Sequence, residues 1–246
     1  MRLPRTFFAP ALVFALLAAR PVPAAAQWSF QWAAGASHSL DADVSIRQPS
    51  QGIALDFLKV RFDGQSNYPR RYYSVRIGHM GGSGRLGWEI EQIHLKAVGL
   101  TNRTYDVTAV GGTSLPATGV SPMNAYVQEY QMTHGVNLAV FNLVVRRPLG
   151  GDSAPVALDL RLGAGASFPH AESTVNGGVV HQYEYGGPGA QAAAGVHVRL
   201  LPRIAAISEY KFTWTRPKID IAEGGAGWTT LLSHHFTVGF SVGLTR

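Results

Sequence analysis

Histidine side chains dominate the residues of this sequence that could do chemistry. Six of them lie near the ends of predicted strands, beside long connecting segments: His94, His134, His170, His181, His234 and His235. If those segments bring several imidazoles together, the group has the chemistry to bind a divalent metal ion. However, adjacent residues of a strand point to opposite faces, so His234 and His235 cannot both enter one site. Polar residues at a wet rim are the favoured interpretation, and no bound metal is expected.

A second grouping adds a lysine and a carboxylate to three of these histidines. If the chain is an enzyme, its catalytic residues are expected near the same strand ends: His94, Lys96, His134, His170 and Glu172. Imidazole, amine and carboxylate groups commonly transfer protons in catalysis. Position and chemistry select these residues, and the chain has no G-x-S-x-G motif. The GAGAS and GGPG stretches lack the lysine and helix of a phosphate-binding loop, so no cofactor is expected.

Three pairs of polar side chains, each two residues apart, lie on consecutive predicted strands. The pairs are Asp159 with Arg161, His197 with Arg199, and Glu209 with Lys211. Residues two apart in a strand share a face, and buried charges need partners. We therefore expect these six residues to form an interior cross-strand charge ladder. Two of the carboxylates could instead serve as acid and base, but a filled interior would give a substrate no access, which favours the structural role.

The elements that must position these residues are β-strands. Residues 156–168, VALDLRLGAGASF, alternate strictly between two kinds of side chain, as is typical of a strand with two unlike faces. Most segments with this period are at least as long as the roughly 9 to 11 residues of a strand that crosses a bilayer. There are eight such segments: 28–38, 70–80, 85–97, 127–147, 156–169, 182–200, 203–216 and 229–244.

The connections between these segments alternate in length. Short turns occupy 81–84, 148–155 and 201–202, and longer connections occupy 39–69, 98–126, 170–181 and 217–228. An even number of strands, with short turns at one rim and long loops at the other, is typical of a bacterial outer-membrane barrel. The predicted fold class is therefore all-β, an eight-stranded antiparallel transmembrane β-barrel. Residues 53–62 are expected to extend a hairpin above the membrane.

Composition indicates which face of each strand points inward. Charged residues make up 15% of the chain, against about 25% in typical soluble proteins. The outward face of a soluble barrel would need far more lysine and glutamate, which argues against a lipocalin-like fold. We expect Leu158, Leu160 and Leu162 to face lipid and the polar side chains to plug the interior. A Gly163→Ser exchange on the interior face is expected to be mild.

The first 26 residues have the layout of a secretory signal peptide. Arg2 and Arg5 precede an apolar run, and three alanines precede Gln27. Residues 27–246 are then the barrel domain. Removal of Arg2, Arg5 and Arg20 lowers the formal charge from +6 by 3 to +3, so a nucleic-acid partner is not expected. The exported chain has no cysteine, so the closed sheet must be stable without disulfides.

The order of several sequence blocks resembles a known family. The blocks include DADVSIRQP, FDGQSNYPRRYYSVRIG, IHLKA, THGVNLAVFNLVVRRP, GAGASFPHAES, YEYGGPGAQAAAGV, SEYKFTWTRPKIDI and LLSHHFTVGFSVGL. Across nearly all of residues 28–244 the chain resembles the eight-stranded OmpA-like outer-membrane β-barrel proteins, within a group that includes the lipid A oxidases. The resemblance implies an outer-membrane location with loops outside, and by itself it does not imply the oxidase chemistry. One departure is the C-terminus, because such barrels usually end on an aromatic residue and this chain ends Leu244-Thr245-Arg246.

Two functions follow as hypotheses. The first is a structural or interaction role, in which a monomeric barrel in the outer membrane of a Gram-negative bacterium contacts lipopolysaccharide or external partners through its loops. The alternative is a lipid A-modifying enzyme, similar to lipid A oxidase, with its site at the outer rim. The mass of lipid A from cells with and without the protein distinguishes the two.

Overall fold

The computed structural model describes residues 27–66, 72–151 and 153–244. In chain order the strands are β1 (Gln27–Ser39), β2 (Ala42–Gln48), β3 (Ile53–Val60), β4 (Phe62–Asp63), β5 (Tyr73–Met80), β6 (Leu86–His94), β7 (Ala97–Gly99), β8 (Thr104–Val110), β9 (Thr118–Pro122), β10 (Val127–Met132), β11 (Leu138–Pro148), β12 (Val156–Ser167), β13 (His170–Val175), β14 (Gly178–Tyr183), β15 (Gly187–Leu201), β16 (Ile204–Thr215), β17 (Lys218–Ile221), β18 (Gly225–Thr229) and β19 (Leu231–Gly243). Two short 3₁₀ helices span Pro49–Gln51 and Met123–Ala125. Within the described ranges, no helix is long and apolar enough to cross a membrane. The predicted signal peptide and residues 245–246 lie outside them.

Eight of these strands close into one barrel in the order β1, β19, β16, β15, β12, β11, β6, β5. Every pair of neighbours is antiparallel. Each barrel strand overlaps one of the eight predicted segments, which confirms the predicted fold class of an eight-stranded antiparallel transmembrane β-barrel.

Two predicted segments are longer than the barrel strands they contain. Segment 127–147 divides into β10 and β11, because Gly135 with φ of 100° and Asn137 with φ of 48° turn the chain between them. Segment 182–200 likewise begins in β14 and continues as β15, with Gly187 at φ of 121° where β15 starts. Alternation continues across the first break, so the sequence period alone did not reveal it. At the second break the apolar side chains change parity, from Tyr183 and Tyr185 to Ala190 and Ala192.

The two faces of the barrel wall point as predicted. On β12 the side chains of Leu158, Leu160 and Leu162 are 40%, 55% and 69% exposed, and those of Asp159 and Arg161 are buried. The exterior is therefore apolar and the interior is polar. A closed barrel satisfies every backbone hydrogen bond within its wall, which is what a strand in lipid requires.

Short turns join the barrel strands at one end, which we call the short-turn end, and long connections join them at the other. The long connections are not simple loops. They form a five-stranded sheet, β14-β13-β10-β7-β4, and a six-stranded sheet, β17-β18-β2-β3-β8-β9, which together we call the head. The hairpin predicted for residues 53–62 is confirmed, because β3 pairs with β2. The remaining head strands were not predicted as separate strands, although β10 lies inside predicted segment 127–147.

The head has a hydrophobic core of its own. Fully buried side chains such as Ile46, Leu55, Phe57 and Met123 belong to it. The same cluster includes Ile93, Leu138 and Leu231 from the adjoining ends of barrel strands. The interior of the molecule therefore changes from charged groups inside the barrel to an apolar core at the end that carries the head.

The expectation for Gly163 is wrong. A β-carbon at this position would lie 2.0 Å from Asn142 Oδ1 and 2.7 Å from the carbonyl oxygen of Phe141. Strand β11 passes so close that any side chain at position 163 would displace the β11 backbone. Gly163→Ser is consequently a disruptive exchange, despite its position on the small-residue face.

Candidate functional site

A network of ion pairs fills the middle of the barrel interior. It joins four basic side chains, Arg76, Arg146, Arg161 and Lys211, to four acidic ones, Glu89, Glu91, Asp159 and Glu209. Its formal charges cancel. Such compensation is needed because an unpaired ion in a desolvated interior costs several kcal/mol.

Arg161 is the most connected cation of this network. Its Nε donates to Glu89 Oε2 at 2.7 Å, its Nη1 to Glu209 Oε2 at 2.8 Å and its Nη2 to Asp159 Oδ2 at 3.1 Å. Asp159 also accepts two hydrogen bonds from Arg146, at 2.7 Å from Nε and 2.8 Å from Nη2. The rigid fork of guanidinium donors allows one arginine to bridge carboxylates on different strands.

Glu209 and Glu91 connect the other two cations. Glu209 Oε1 accepts from Arg76 and lies 3.4 Å from Lys211 Nζ. Glu91 pairs with Lys211, and its Oε1 lies 2.9 Å from Arg76 Nη2. Amide side chains extend the network: Gln191 Nε2 and Asn142 Nδ2 donate to Glu91 Oε2 at 2.6 and 3.0 Å, and Gln31 Nε2 donates to Glu89 Oε1 at 2.8 Å.

The network contains four residues of the predicted ladder, Asp159, Arg161, Glu209 and Lys211, and lacks the other two. The register explains why: on β15 the residue between Asp159 and Glu209 is Gly195, and His197 instead lies between Ala157 and Ile207. Arg199 donates from Nη2 to the Ser153 carbonyl at 2.6 Å. The predicted ladder did not include Arg76, Glu89, Glu91 or Arg146, although the inward period of Val140, Asn142 and Val144 on β11 points to Arg146.

A cavity of about 830 Å³ opens at the short-turn end. Its lining includes the basic side chains of Arg85, Arg146, Arg199 and Arg203, together with His197. We call this cavity the vestibule. Arg146 belongs both to the vestibule and to the charge network. The network begins where the vestibule ends.

At the other end of the barrel, the structure brings together three of the five predicted rim residues. His134, His170 and Glu172 each offer one ligand atom, and these atoms lie within 4.8 Å of one another. His134 Nδ1 is 2.6 Å and His170 Nδ1 is 3.1 Å from the same oxygen, Glu172 Oε1. We call these three residues the wall triad.

A tight turn positions His134 beside the strand that carries the other two triad members. His170 and Glu172 are two apart on β13 and therefore share a face. The backbone N–H of His170 donates to the Gly135 carbonyl at 3.1 Å. Gly135 has a φ of 100°, and a β-carbon there would lie 2.4 Å from His94 Nδ1. Only glycine permits this turn, so the triad geometry depends on it.

Further polar side chains hold the Glu172 carboxylate. Thr133 Oγ1 donates to its Oε1 at 2.5 Å, and Gln131 Nε2 donates to its Oε2 at 3.1 Å. Burial raises the pKa of Glu172, whereas the hydrogen bonds from Thr133, His134 and His170 lower it, and the net pKa lies below its ordinary value. Glu172 is therefore ionised at neutral pH.

The other rim candidates lie elsewhere. His94 is buried beneath the turn, where it stacks on Tyr73 with 4.9 Å between ring centroids and contacts Asn137 Oδ1 at 2.9 Å. Lys96 is buried as well. His181 lies opposite Glu172 on the neighbouring strand β14, but its Nε2 lies 3.5 Å from Glu129 Oε2, and it is not one of the three clustered ligands. His94 and Lys96 therefore do not join the wall triad. Both side chains are buried in packed structure and do not lie on the face of β13 that carries His170 and Glu172.

The adjacent pair His234 and His235 divides as the sequence indicated. His235 points inward and contacts Thr213 Oγ1 at 2.8 Å, whereas His234 faces the exterior and contacts Tyr210 OH at 2.6 Å. The two histidines thus lie on opposite sides of the wall and cannot share a site.

The wall triad lies on the face of β13 that points away from the core, because Ala171, on the other face, belongs to that core. The His134 side chain is 38% exposed, whereas Glu172 is buried beneath it. Phe168 precedes His170 on the same outward face, is 46% exposed, and packs against Tyr185 with 5.9 Å between ring centroids. Tyr183 packs against the His170 ring at 4.5 Å. Exposed aromatic rings of this kind are typical of the boundary between lipid tails and headgroups.

A second polar feature lies at the base of the head. A groove of about 260 Å³ is lined by residues that include His38, Arg61 and Arg103, and all three side chains are exposed. His38 is close to the end of barrel strand β1. These cationic and imidazole groups therefore line one groove where the head joins the barrel.

Comparisons with known proteins are distant. No protein-family model matches the chain, and no curated protein has a sequence similar to it. Among solved structures, the chain is similar to Neisserial surface protein A, with 10% identity, a TM-score of 0.42 and coverage of 87% of this chain and 96% of that chain. It is also similar to the outer membrane protein OprG from Pseudomonas aeruginosa, with 11% identity, a TM-score of 0.40 and coverage of 90% and 97%.

A third similar structure is Ail, the attachment invasion locus protein of Yersinia pestis, in complex with the heparin analogue sucrose octasulfate. Its identity is 10%, its TM-score is 0.31, and the coverage is 86% of this chain and 97% of that chain. Likenesses of this size carry no argument about function. The barrel assignment rests on the strand register of the chain itself.

The charge network predicts a specific pattern of stability losses. Glu209→Ala is expected to lower the free energy of unfolding by about 3–5 kcal/mol, because it leaves Arg76 and Arg161 without a shared carboxylate. A double Glu209→Ala, Arg76→Ala variant should lose less than the sum of the single losses. Urea unfolding in lipid vesicles, followed by tryptophan fluorescence, measures both quantities. Ser208→Ala, on the outward face of the same strand, is the control, and strictly additive losses would contradict the coupling.

Proposed function

We propose that the protein is a small outer-membrane barrel with a closed interior, which acts through its head by contacting lipopolysaccharide or another partner outside the cell. The observation that carries this proposal is the construction of the head. Four long connections form two sheets over a continuous apolar core, whereas loops without a role of their own would need no such core.

The apolar exterior of the barrel supports an outer-membrane location. Leucine, valine and phenylalanine side chains face outward on β11, β12 and β19, and closed barrels are a principal way for strands to span a bilayer. Long connections of bacterial barrels face the outside and short turns face the periplasm. The head would then lie outside the cell, the arginine-lined vestibule would face the periplasm, and the predicted signal peptide would direct export.

Two layers support a closed interior. The charge network occupies the middle of the barrel, and the apolar core of the head begins directly beyond it at Ile93, Leu138 and Leu231. An eight-stranded barrel is only wide enough to be filled by its own side chains. The vestibule at the short-turn end is therefore expected to end blindly.

The purified protein should produce no stable ion conductance in planar lipid bilayers. The reason is that a continuous water column would have to replace both the paired charges and the apolar core. A porin reconstituted under the same conditions serves as the positive control. Well-resolved single-channel openings would contradict the closed interior.

The groove at the base of the head supports contact with lipopolysaccharide. Arg61 and Arg103 are exposed beside the barrel rim, at the height where lipid phosphates lie if the apolar band spans the hydrocarbon. Guanidinium groups bind phosphate through two parallel hydrogen bonds. Cations in this position are suited to the phosphates of a lipopolysaccharide headgroup.

Reversal of this charge should weaken the contact. A double Arg61→Glu, Arg103→Glu variant is expected to bind lipopolysaccharide at least about tenfold more weakly, since hydrogen bonds between charged groups contribute about 1.5–3 kcal/mol each. Calorimetric titration of detergent-solubilised protein measures the affinity. Arg203→Glu, an exposed arginine at the short-turn end, is the matched control. Equal affinities for all three proteins would exclude the groove as the contact.

One observation favours a second function. The wall triad places two imidazoles and an ionised carboxylate on the outer wall, next to exposed aromatic rings at the lipid boundary. A lipid A-modifying enzyme, resembling lipid A oxidase, would need proton-transferring groups at this height. The resemblance remains a sequence-based prediction.

Mass spectrometry of lipid A tests the second function. If the protein is such an enzyme, its expression changes the mass of lipid A, and His134→Ala or His170→Ala abolishes the change while the barrel still folds. His234→Ala, which removes an outward-facing histidine of β19 outside the triad, should retain the activity. An unchanged lipid A mass with the wild-type protein would contradict the enzymatic function and leave the binding role standing.

A further inference from the structure

The geometry of the wall triad points to more than hydrogen bonding. Glu172 Oε1 receives contacts from Thr133 Oγ1 at 2.5 Å, His134 Nδ1 at 2.6 Å and His170 Nδ1 at 3.1 Å. One carboxylate oxygen has about two lone-pair sites, yet three polar atoms lie within hydrogen-bonding distance of it. Both imidazoles also present the same nitrogen to the same point. Two imidazole nitrogens and one carboxylate oxygen lie within 4.8 Å of one another, close enough to bind one cation together once Glu172 Oε1 moves out from between the nitrogens.

We propose that His134, His170 and Glu172 bind a divalent transition-metal ion on the outer wall of the protein, which is a site beyond the proposed function. Two imidazole nitrogens and one carboxylate oxygen form the donor set of three-ligand zinc sites and of the iron sites with two histidines and a carboxylate. The sequence analysis considered a metal among these histidines and did not favour one. The structure adds Glu172 as the third ligand and removes His94, His181, His234 and His235 from the group.

The distances fit such an ion after a small adjustment. Ligand atoms about 2.1 Å from a tetrahedral metal are about 3.4 Å apart, and the three atoms of the triad lie within 4.8 Å of one another. Glu172 Oε1 lies only 2.6 Å from His134 Nδ1 and 3.1 Å from His170 Nδ1, so this oxygen must move away from both nitrogens. His134 can follow, because its side chain is 38% exposed and belongs to a turn.

Neighbouring side chains hydrogen-bond to the proposed ligands and hold them in place, as the residues around a metal site commonly do. Gln131 binds the free oxygen of Glu172 at 3.1 Å. Asn137 Nδ2 donates to the carbonyl oxygens of His134 and Gly135, each at 3.2 Å, and fixes the turn. The exposure of His134 leaves a coordination position open on the outer surface. A bound ion could there accept an oxygen ligand, such as a phosphate, from outside the protein.

Metal titration of the purified protein tests the site without any lipid substrate. The mature protein is refolded in detergent free of lipopolysaccharide, without a polyhistidine tag, stripped with chelator and titrated with Co²⁺. We expect one Co²⁺ per chain, visible ligand-field absorption bands and displacement by Zn²⁺. His170→Ala and Glu172→Gln should each weaken binding at least about tenfold, whereas His234→Ala, on the outward face of β19, should leave it unchanged.

Two results would overturn the proposal: no Co²⁺ binding by the wild-type protein, or binding that His170→Ala and Glu172→Gln leave intact. Resistance of the barrel to heating in detergent shows that each variant has folded. If His170→Ala fails this check, Glu172→Gln decides, because it keeps the size of the side chain. The measurement is independent of lipid A chemistry and of the Arg61 and Arg103 groove, so the metal site and the proposed function can fail separately.

Discussion

Eight strands close into a barrel that is too narrow to hold both its own side chains and water, so every charge that points inward must find its counter-ion within the wall. The network around Arg161 and Glu209 meets this constraint by linking charges from five barrel strands. Glycine and alanine on the same inward faces make room for it. The polar interior in turn leaves the apolar residues outside, where lipid can solvate them.

Because the interior changes from charged to apolar at one end of the barrel, the head can pack directly on that end. At the end that carries the head, the inward residues become Ile93, Leu138 and Leu231, and they belong to the same core as Leu55 and Phe57 of the head. The head therefore packs on the barrel through a shared core. Because the head packs on the barrel in this way, the groove and the wall triad stay at a fixed distance from the apolar band.

The wall triad depends on the same junction. Its histidines come from two different long connections, and they meet because the turn at Gly135 bonds directly to the start of β13 at His170. His94, at the end of a barrel strand, lies under that turn and contacts Asn137. The barrel rim thus supports the site without contributing a ligand to it, which separates the roles of histidines that looked equivalent in the sequence.

The sequence by itself determined the barrel: the period of two, eight segments and the alternation of connection lengths depend on local pattern, and local pattern decides which face of a strand is apolar. It also determined that Asp159, Arg161, Glu209 and Lys211 point inward. Only the tertiary structure decided their partners, because strand register places Gly195 between Asp159 and Glu209 and leaves His197 and Arg199 beyond the network. The head sheets and the meeting of His134 with His170 and Glu172 were likewise decided by non-local pairing, since residues more than thirty positions apart come together only when strands β10 and β13 pair.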